Sequence, residues 1–250
     1  RVTFLPEISV DVTDPTKRAV AVPGLVNGKA YTFTVTAKNA EVSFGAGRAA
    51  GPVTPKYRTV LTSKASRATA VSGQSVTWSG VLTRRNGNLP IGGAPVNVVV
   101  RPQVGKASTK AVTTDAQGRW SIAATTVYTT AVTASYAGSA LEASVASVPV
   151  TTPTATKVTV SGPKSGGTTS ISKPLVITGS VSPNKAGKSV GVYKLVGGTR
   201  QLVGTAKVAA NGTYRASVKL ARGDYLLLVA IGPTPGNTSA SSPRFVVKRR

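Results

Sequence analysis

The chain has 250 residues, 40% of them hydrophobic, and its 31 lysines and arginines against 7 acidic residues give a formal net charge of +24. It contains no cysteine, histidine or methionine, which excludes a disulfide framework, a Cys/His zinc site and a histidine general base. No apolar run approaches the roughly 18–20 residues of a membrane-spanning helix, and the length allows two or three domains.

The first clear element in chain order is a strand that begins at Tyr31. Its apolar residues alternate with threonines up to residue 37, which is the period-two pattern of a strand with one buried face. Ahead of it, Leu25, Gly28 and Tyr31 stand three residues apart. This spacing closely resembles the Leu-x-x-Gly-x-x-Tyr corner of fibronectin type III domains. The resemblance implies that the Tyr31 ring is buried and that its hydroxyl hydrogen-bonds to upstream backbone.

The same resemblance assigns the rest of residues 1–55 as a partial fibronectin type III domain. It places strand C at residues 1–4, strand C′ at residues 8–12, strand E at residues 19–22 and the loop between strands F and G at Lys38–Asn39. A complete domain has seven strands in about 90–100 residues, and strands A and B have no counterpart here. We therefore expect a piece of a longer protein, in which missing N-terminal chain or a neighbouring copy covers an open apolar face.

Four segments in the rest of the chain recur at a nearly constant offset, as expected of tandem homologous domains. Three pairs are 94 residues apart, and the fourth pair is 99 apart. We place the two domains at residues 56–151 and 152–250. The pairs are "PVNVVV" at 95–100 with "SVGVYK" at 189–194, "TTDAQGRWSIA" at 113–123 with "KVAANGTYRAS" at 207–217, "TASYAG" at 133–138 with "LLVAIG" at 227–232, and "VTWSGVL" at 76–82 with "LVITGSV" at 175–181.

Each repeat is predicted to be a β-sandwich, because short strands alternate with Gly, Pro, Asn or Asp turns. "DAQGRW" and "AANGTY" are typical of hairpins, and Asn211–Gly212 suits a type I′ turn. Trp120 and Tyr214 follow these turns and are expected in the core. The repeats resemble the bacterial immunoglobulin-like domains of surface proteins and secreted enzymes. The predicted fold class is therefore all-β, in tandem β-sandwiches (partial fibronectin type III plus two Ig-like domains), with semi-rigid linkers at residues 53–58 and 149–156.

Arg222-Gly223-Asp224 is the tripeptide that animal integrins read on adhesive proteins. Tyr225, Leu227 and Val229 alternate directly after it, as on one face of a strand. We interpret Gly223 and Asp224 as the turn that feeds this strand, since both residue types favour turns. The tripeptide then has an explanation without an integrin, and integrin binding is not expected.

The composition offers little catalytic chemistry. The seven acids are scattered and mostly near turns, with Asp11 and Asp14 the one close pair, which disfavours a glycosidase or a calcium site. "SPNKAGKS" at 182–189 resembles the end of a phosphate-binding loop but has Ser182 in place of the required first glycine. Trp78 lies in a strand pattern and is expected in the core. We predict no enzymatic activity, no metal and no cofactor.

The basic residues are spread along the chain and form clusters at Arg84–Arg85 and Lys248–Arg249–Arg250. The charge predicts unspecific binding of cell-wall or other anionic polymers, with these five residues as candidate contacts. A specific nucleic-acid partner is not expected, because a dedicated module concentrates its basic residues on one face with aromatics between them.

These features predict a non-catalytic structural or adhesive segment of a secreted or surface-displayed bacterial protein, which acts as a stalk or spacer outside the cell. The lack of cysteine favours a bacterial source over an animal extracellular matrix. Two alternatives stay open: the accessory domains of a secreted hydrolase, and a component of a phage virion or filament.

Overall fold

The structure, a computed structural model, describes residues 10–14, 16–36, 47 and 49–250. All regular elements among these residues are β-strands, and most of them form two consecutive sandwiches. The predicted all-β class with tandem β-sandwiches is confirmed. Abundant valine and threonine suit this architecture, because their β-branched side chains pack well on a pleated surface.

The first sandwich comprises eleven short strands. They are β3 (Thr59–Leu61), β4 (Lys64–Ala65), β5 (Ala70–Val71), β6 (Gln74–Arg84), β7 (Pro95–Pro102), β8 (Ser108–Thr113), β9 (Arg119–Thr126), β10 (Thr130–Tyr136), β11 (Val145–Ala146), β12 (Val150–Thr152) and β13 (Thr154–Ala155). One sheet has β6 between β9 and the pair β3 and β4. The other has the order β8-β7-β10, with β11 and β12 beyond β10. Finally, β13 pairs in parallel with β5.

The second sandwich repeats this plan with β14 (Lys157–Gly162), β15 (Gly167–Thr169), β16 (Leu175–Ser182), β17 (Ser189–Val196), β18 (Thr199–Lys207), β19 (Thr213–Val218), β20 (Gly223–Ile231), β21 (Ala240–Ser241) and β22 (Phe245–Arg249). Its smaller sheet has the order β14-β16-β19. Its larger sheet has the order β18-β17-β20-β22, with β21 also on β20 and β15 parallel to β22. The strand order matches that of the first sandwich, with β14 in the place of β3 and β4 and with β22 in the place of β12 and β13.

The register of the strands refines the repeat found in the sequence. Val100 lies opposite Val132 in the first sandwich, and Lys194 lies opposite Leu227 in the second. Val100 and Lys194 keep the offset of 94, but Val132 and Leu227 are 95 apart. The predicted match of "TASYAG" with "LLVAIG" is therefore wrong by one residue, because the connection before β20 is one residue longer.

The core of each sandwich is anchored by one aromatic side chain that crosses a glycine on the neighbouring strand. Trp120 lies opposite Gly80, and its indole N–H donates to the Thr62 carbonyl over 3.2 Å. Tyr214 lies opposite Gly179, and its hydroxyl donates to the Thr159 carbonyl over 2.6 Å. Both aromatics are buried, as predicted. The strict alternation of buried residues along the strands places them there.

Two turns and one linker differ from the predictions. The turns that end at Gly118 and Gly212 connect strands of opposite sheets, so they do not form hairpins. Asn211 has no positive φ, which a type I′ turn requires; Gly212 alone adopts one there. Residues 149–156 are not a free linker, because β12 and β13 continue the first sandwich through Ala155.

The segment before the first sandwich contains β1 (Tyr31–Phe33) antiparallel to β2 (Ala50–Val53). The backbone N–H of Val26 donates to the Tyr31 hydroxyl over 2.9 Å, as the tyrosine corner implies, although the Tyr31 side chain is only half-buried. The predicted strand E at residues 19–22 has no strand structure. The predicted strand C and the Lys38–Asn39 loop lie outside the described residues. No described residue before position 56 is fully buried.

Candidate functional site

The two sandwiches meet in a hydrogen-bonded joint. It is formed by the loop before β10, by β13, and by the loop that precedes β21. Thr238 bridges to Ala155 in parallel, and its N–H donates to the Thr154 carbonyl over 3.0 Å. The Thr129 N–H donates to the Gly236 carbonyl over 2.7 Å. The end of one sandwich is thus paired directly with a loop of the next.

Asn237 is the centre of this joint and is only 5% exposed. Its side-chain amide donates to the Val127 carbonyl over 2.9 Å and to the Thr154 carbonyl over 3.1 Å. One side chain therefore ties two separate segments of the first sandwich to the second. Buried amide bonds of this kind hold geometry, since breaking them leaves desolvated carbonyls unpaired.

Lys185 closes the joint from the other side. Its ammonium donates to the Pro235 carbonyl over 3.1 Å and lies 5.1 Å from the centre of the Tyr128 ring. Burial lowers the pKa of Lys185, with a smaller contribution from the positive charge of Lys188. Residues 182–189, which resemble the end of a phosphate-binding loop, connect β16 to β17. No helix follows them, so they lack the strand–loop–helix context of such a loop.

A related joint precedes the first sandwich. The Tyr57 N–H donates to the Leu141 carbonyl over 2.7 Å, and the Ala143 N–H donates to the Tyr57 carbonyl over 2.9 Å. The Leu141 side chain occupies the space where a Cβ on Gly28 would stand. In both joints, the loop that follows strand β10 or β20 binds the chain that enters the same sandwich. The same loop also contacts the part of the chain that precedes that sandwich.

Charged groups strengthen the joint that precedes the first sandwich. Arg84 forms an ion pair with Glu142 at 2.5 Å, and its guanidinium carbon lies 4.4 Å from the centre of the Tyr57 ring. The Ser139 hydroxyl donates to the other Glu142 oxygen. This bond and then the Arg84 interaction lower the pKa of Glu142. Lys56 adds a bond from its ammonium to the Ser139 carbonyl at 2.5 Å.

The structure separates the five predicted polymer contacts. Arg85 and Lys248 are exposed. Arg84 is engaged by Glu142, and Arg250 forms an ion pair with Asp224 at 2.6 Å. Arg249 is 2% exposed, and its guanidinium donates to Thr169 Oγ1, to the Ser170 carbonyl and to the Lys173 carbonyl. The prediction that Arg249 contacts a polymer directly is therefore wrong, because its guanidinium is buried in the second sandwich.

The tripeptide Arg222-Gly223-Asp224 is not on a protruding loop tip. Gly223 and Asp224 are the first two residues of β20 and pair with Arg249 and Lys248. The interpretation of these two residues as a turn is wrong, since the bend ends at Arg222. The Asp224 carboxylate is occupied by Arg250.

The remaining candidates fit a structural role. Trp78 is 0% exposed and lies in the core of the first sandwich. Within the described ranges, no three His, Cys, Asp or Glu side chains group as a metal site would need. The part of the chain that the structure describes holds no helix with the length and hydropathy of a membrane span. Sequence reasoning missed Asn237, Lys185 and Glu142 as joint residues, because loop composition carries no periodic signal for such contacts.

No family model matches the chain, and no curated protein matches it. Among solved structures it is similar to a tetra-tandem repeat in the extending region of a large adhesion protein, with 18% identity and a TM-score of 0.38 over 91% of this chain and 58% of that chain. It is similar to a C-terminal 282-residue fragment of intimin in complex with the intimin-binding domain of the translocated intimin receptor (18%, TM-score 0.37, 76% of this chain and 64% of that chain). It is also similar to the Yersinia pseudotuberculosis adhesin InvE (12%, TM-score 0.33, 76% and 58%). The chain spans less than two thirds of the length of each of these three structures.

Proposed function

We propose that the chain is a non-catalytic structural segment of a secreted or surface-displayed bacterial protein, in which serial sandwiches act as a stalk or spacer. The observation that carries this proposal is the joint centred on Asn237. Two sandwiches linked by flexible chain would point in many directions, whereas paired backbone and a buried amide hold one direction. A spacer that holds another domain at a distance needs that stiffness.

We also propose that residues 1–55 are a partial fibronectin type III domain and that residues 56–151 and 152–250 are Ig-like domains. The corner at Tyr31 supports the first assignment. Two separate core clusters support the other two, one from Leu61 to Val150 and one from Val158 to Val247. The pairing of β13 with β5 extends the first sandwich to Ala155, which lies past the proposed boundary between residues 151 and 152.

The experiment that tests the spacer role measures the stiffness of the joint. Because the chain has no cysteine, single cysteines at the exposed Ser121 and Ser217 will carry two spin labels, one on each sandwich. We expect a narrow distance distribution by double electron–electron resonance, which widens in Asn237→Ala. Asn211→Ala, in an exposed turn of the second sandwich, is the matched control and keeps the width.

A broad distribution in the unaltered protein contradicts the spacer role, because the sandwiches then tumble independently. A narrow distribution that Asn237→Ala leaves unchanged removes Asn237 from the explanation and assigns the stiffness to the paired backbone alone.

We also propose weak binding of cell-wall or other anionic polymers, supported by the net charge of +24 and by the exposure of Arg85 and Lys248. The contacts are spread over the surface, so the binding is unspecific and of a counterion-release type.

A further inference from the structure

The outer face of the larger sheet of the second sandwich is unusually apolar. We call it the apolar face and define it by Tyr193, Leu195, Leu202, Leu226, Leu228 and Val246. Leu202 is 56% exposed and Leu226 is 37% exposed. An exposed apolar patch on a folded domain marks an interaction surface more often than a single exposed leucine does.

The strand register makes these residues contiguous. Leu202 on β18 lies opposite Tyr193 on β17, and Tyr193 lies opposite Leu228 on β20. Leu226 lies opposite Val246 on β22. Residues paired in this way share one face of the sheet, so the apolar side chains form a band across four strands. Leu228 is buried beneath its neighbours, although it points away from the core.

The first sandwich provides an internal comparison at the same sheet positions. There Val99 lies opposite Thr109 and Thr133, where the second sandwich has Tyr193 opposite Leu202 and Leu228. The sandwich fold itself therefore does not require large apolar residues on this face. Their presence in the second sandwich needs a separate reason.

Charge indicates what binds there. Arg200 and Lys207 on β18 and Lys248 on β22 point to the same side as the apolar face, as their pairing shows. Asp224, the one acid on this side of β20, is neutralised by Arg250. A second copy of this chain would bring the same cations and a net charge of +24, so electrostatic repulsion disfavours it.

We propose that the apolar face is a docking surface for a protein partner that presents leucine-like side chains surrounded by carboxylates. The apolar band supplies the contact that excludes water, and the cationic rim selects an acidic partner. This role goes beyond that of a spacer and is independent of the joint.

The test uses the full chain and a labelled twelve-residue peptide with alternating glutamate and leucine as the probe. A second peptide carries serine in place of leucine, and a third carries lysine in place of glutamate. We expect the first peptide to bind more tightly than the other two in fluorescence anisotropy, because charge alone attracts the glutamate–serine peptide only weakly and unspecifically. Leu202→Thr combined with Leu226→Ala weakens that binding about tenfold, because two exposed apolar anchors are removed. Val148→Thr, a change to a polar side chain at an exposed valine of the first sandwich, is the control.

Three results overturn the proposal. Equal binding of the glutamate–serine peptide reduces the surface to unspecific charge. Equal binding of the lysine–leucine peptide removes the selection for acidic partners. Absence of binding by any peptide shows that the face is not a docking surface. None of these outcomes affects the distance distribution between the sandwiches, so the spacer role is tested separately.

Discussion

The crossing of Trp120 over Gly80 is a residue-scale feature that has a direct energetic consequence. A Cβ at position 80 would overlap the Thr62 carbonyl and the Trp120 indole nitrogen. We therefore expect Gly80→Ala to destabilise the first sandwich by about 3 kcal/mol, since neither backbone nor a buried ring moves cheaply. Urea unfolding followed by tryptophan fluorescence measures this, because both tryptophans lie in the first sandwich.

The neighbouring Ser79→Ala is the control for this substitution, and its effect should stay within about 0.5 kcal/mol. A similar loss of stability in both variants would show that the close approach of the indole is not what the glycine permits.

Glu142 makes the joint that precedes the first sandwich sensitive to acid. Its pKa is lowered by the Ser139 hydroxyl and by Arg84, so its carboxylate stabilises the folded state. That contribution is fully present above the ordinary carboxyl pKa of about 4.3, and it is lost as the pH falls through the lowered pKa of the folded state. Glu142→Gln should therefore cost roughly 1 kcal/mol at pH 7 and progressively less below about pH 4. Unfolding by urea across this pH range checks the prediction, and a difference independent of pH would contradict it.

At the scale of the element, β22 shows how one strand combines two roles for adjacent basic residues. Arg249 faces inward and Lys248 faces outward. Arg249→Ala leaves the carbonyls of Ser170 and Lys173 unpaired and should cost about 3 kcal/mol, whereas Lys248→Ala should cost less than about 0.5 kcal/mol. The measurement is urea unfolding followed by far-ultraviolet circular dichroism. Tryptophan fluorescence does not report on the second sandwich, because both tryptophans lie in the first.

Binding to polyphosphate discriminates between these two residues in the opposite sense. Per folded molecule, Lys248→Ala should weaken it and Arg249→Ala should leave it unchanged. If Arg249→Ala weakened polyphosphate binding without loss of stability, Arg249 would be a polymer contact and not a buried structural residue.

Most strands were predictable because one buried face imposes a period of two, as in β6, where Val76, Trp78 and Leu82 point inward. The same period held an unused signal for Arg249, since Phe245 and Val247 precede it on the inner face. The basic cluster alone predicts exposure of Arg249, whereas the alternation of the strand predicts its burial.

The turns and the joint were not predictable from local sequence. A turn that ends in a glycine with positive φ looks the same whether it returns the chain to its own sheet or carries it to the opposite one, as at Gly118 and Gly212. Asn237 acts through partners that lie 83 and 110 residues away in the chain. Such contacts are fixed by tertiary packing and leave no trace in composition.

At the scale of the whole molecule, the net charge of +24 governs how the protein meets polyanions. Polyphosphate binding should fall steeply between about 50 and 200 mM salt, because the binding free energy comes from released counterions. Replacing Arg85 and Lys248 by alanine should weaken the binding gradually. Isothermal titration at several salt concentrations measures both effects. Loss of all binding through one substitution, or binding that survives high salt, would reveal a specific pocket instead.

We expect the parallel pairs β5–β13 and β15–β22 to determine how each sandwich responds when it is pulled. Each pair joins a strand near the entry of the chain to one near its exit. Tension applied to the two flanking segments therefore runs along the paired strands and loads their hydrogen bonds together, in shear, instead of opening them one after another. We expect single-molecule force spectroscopy to show abrupt rupture of each sandwich without a preceding gradual extension. Under steady flow, a chain of such units would keep its length. Each sandwich would unfold only when all hydrogen bonds of its parallel pair broke together.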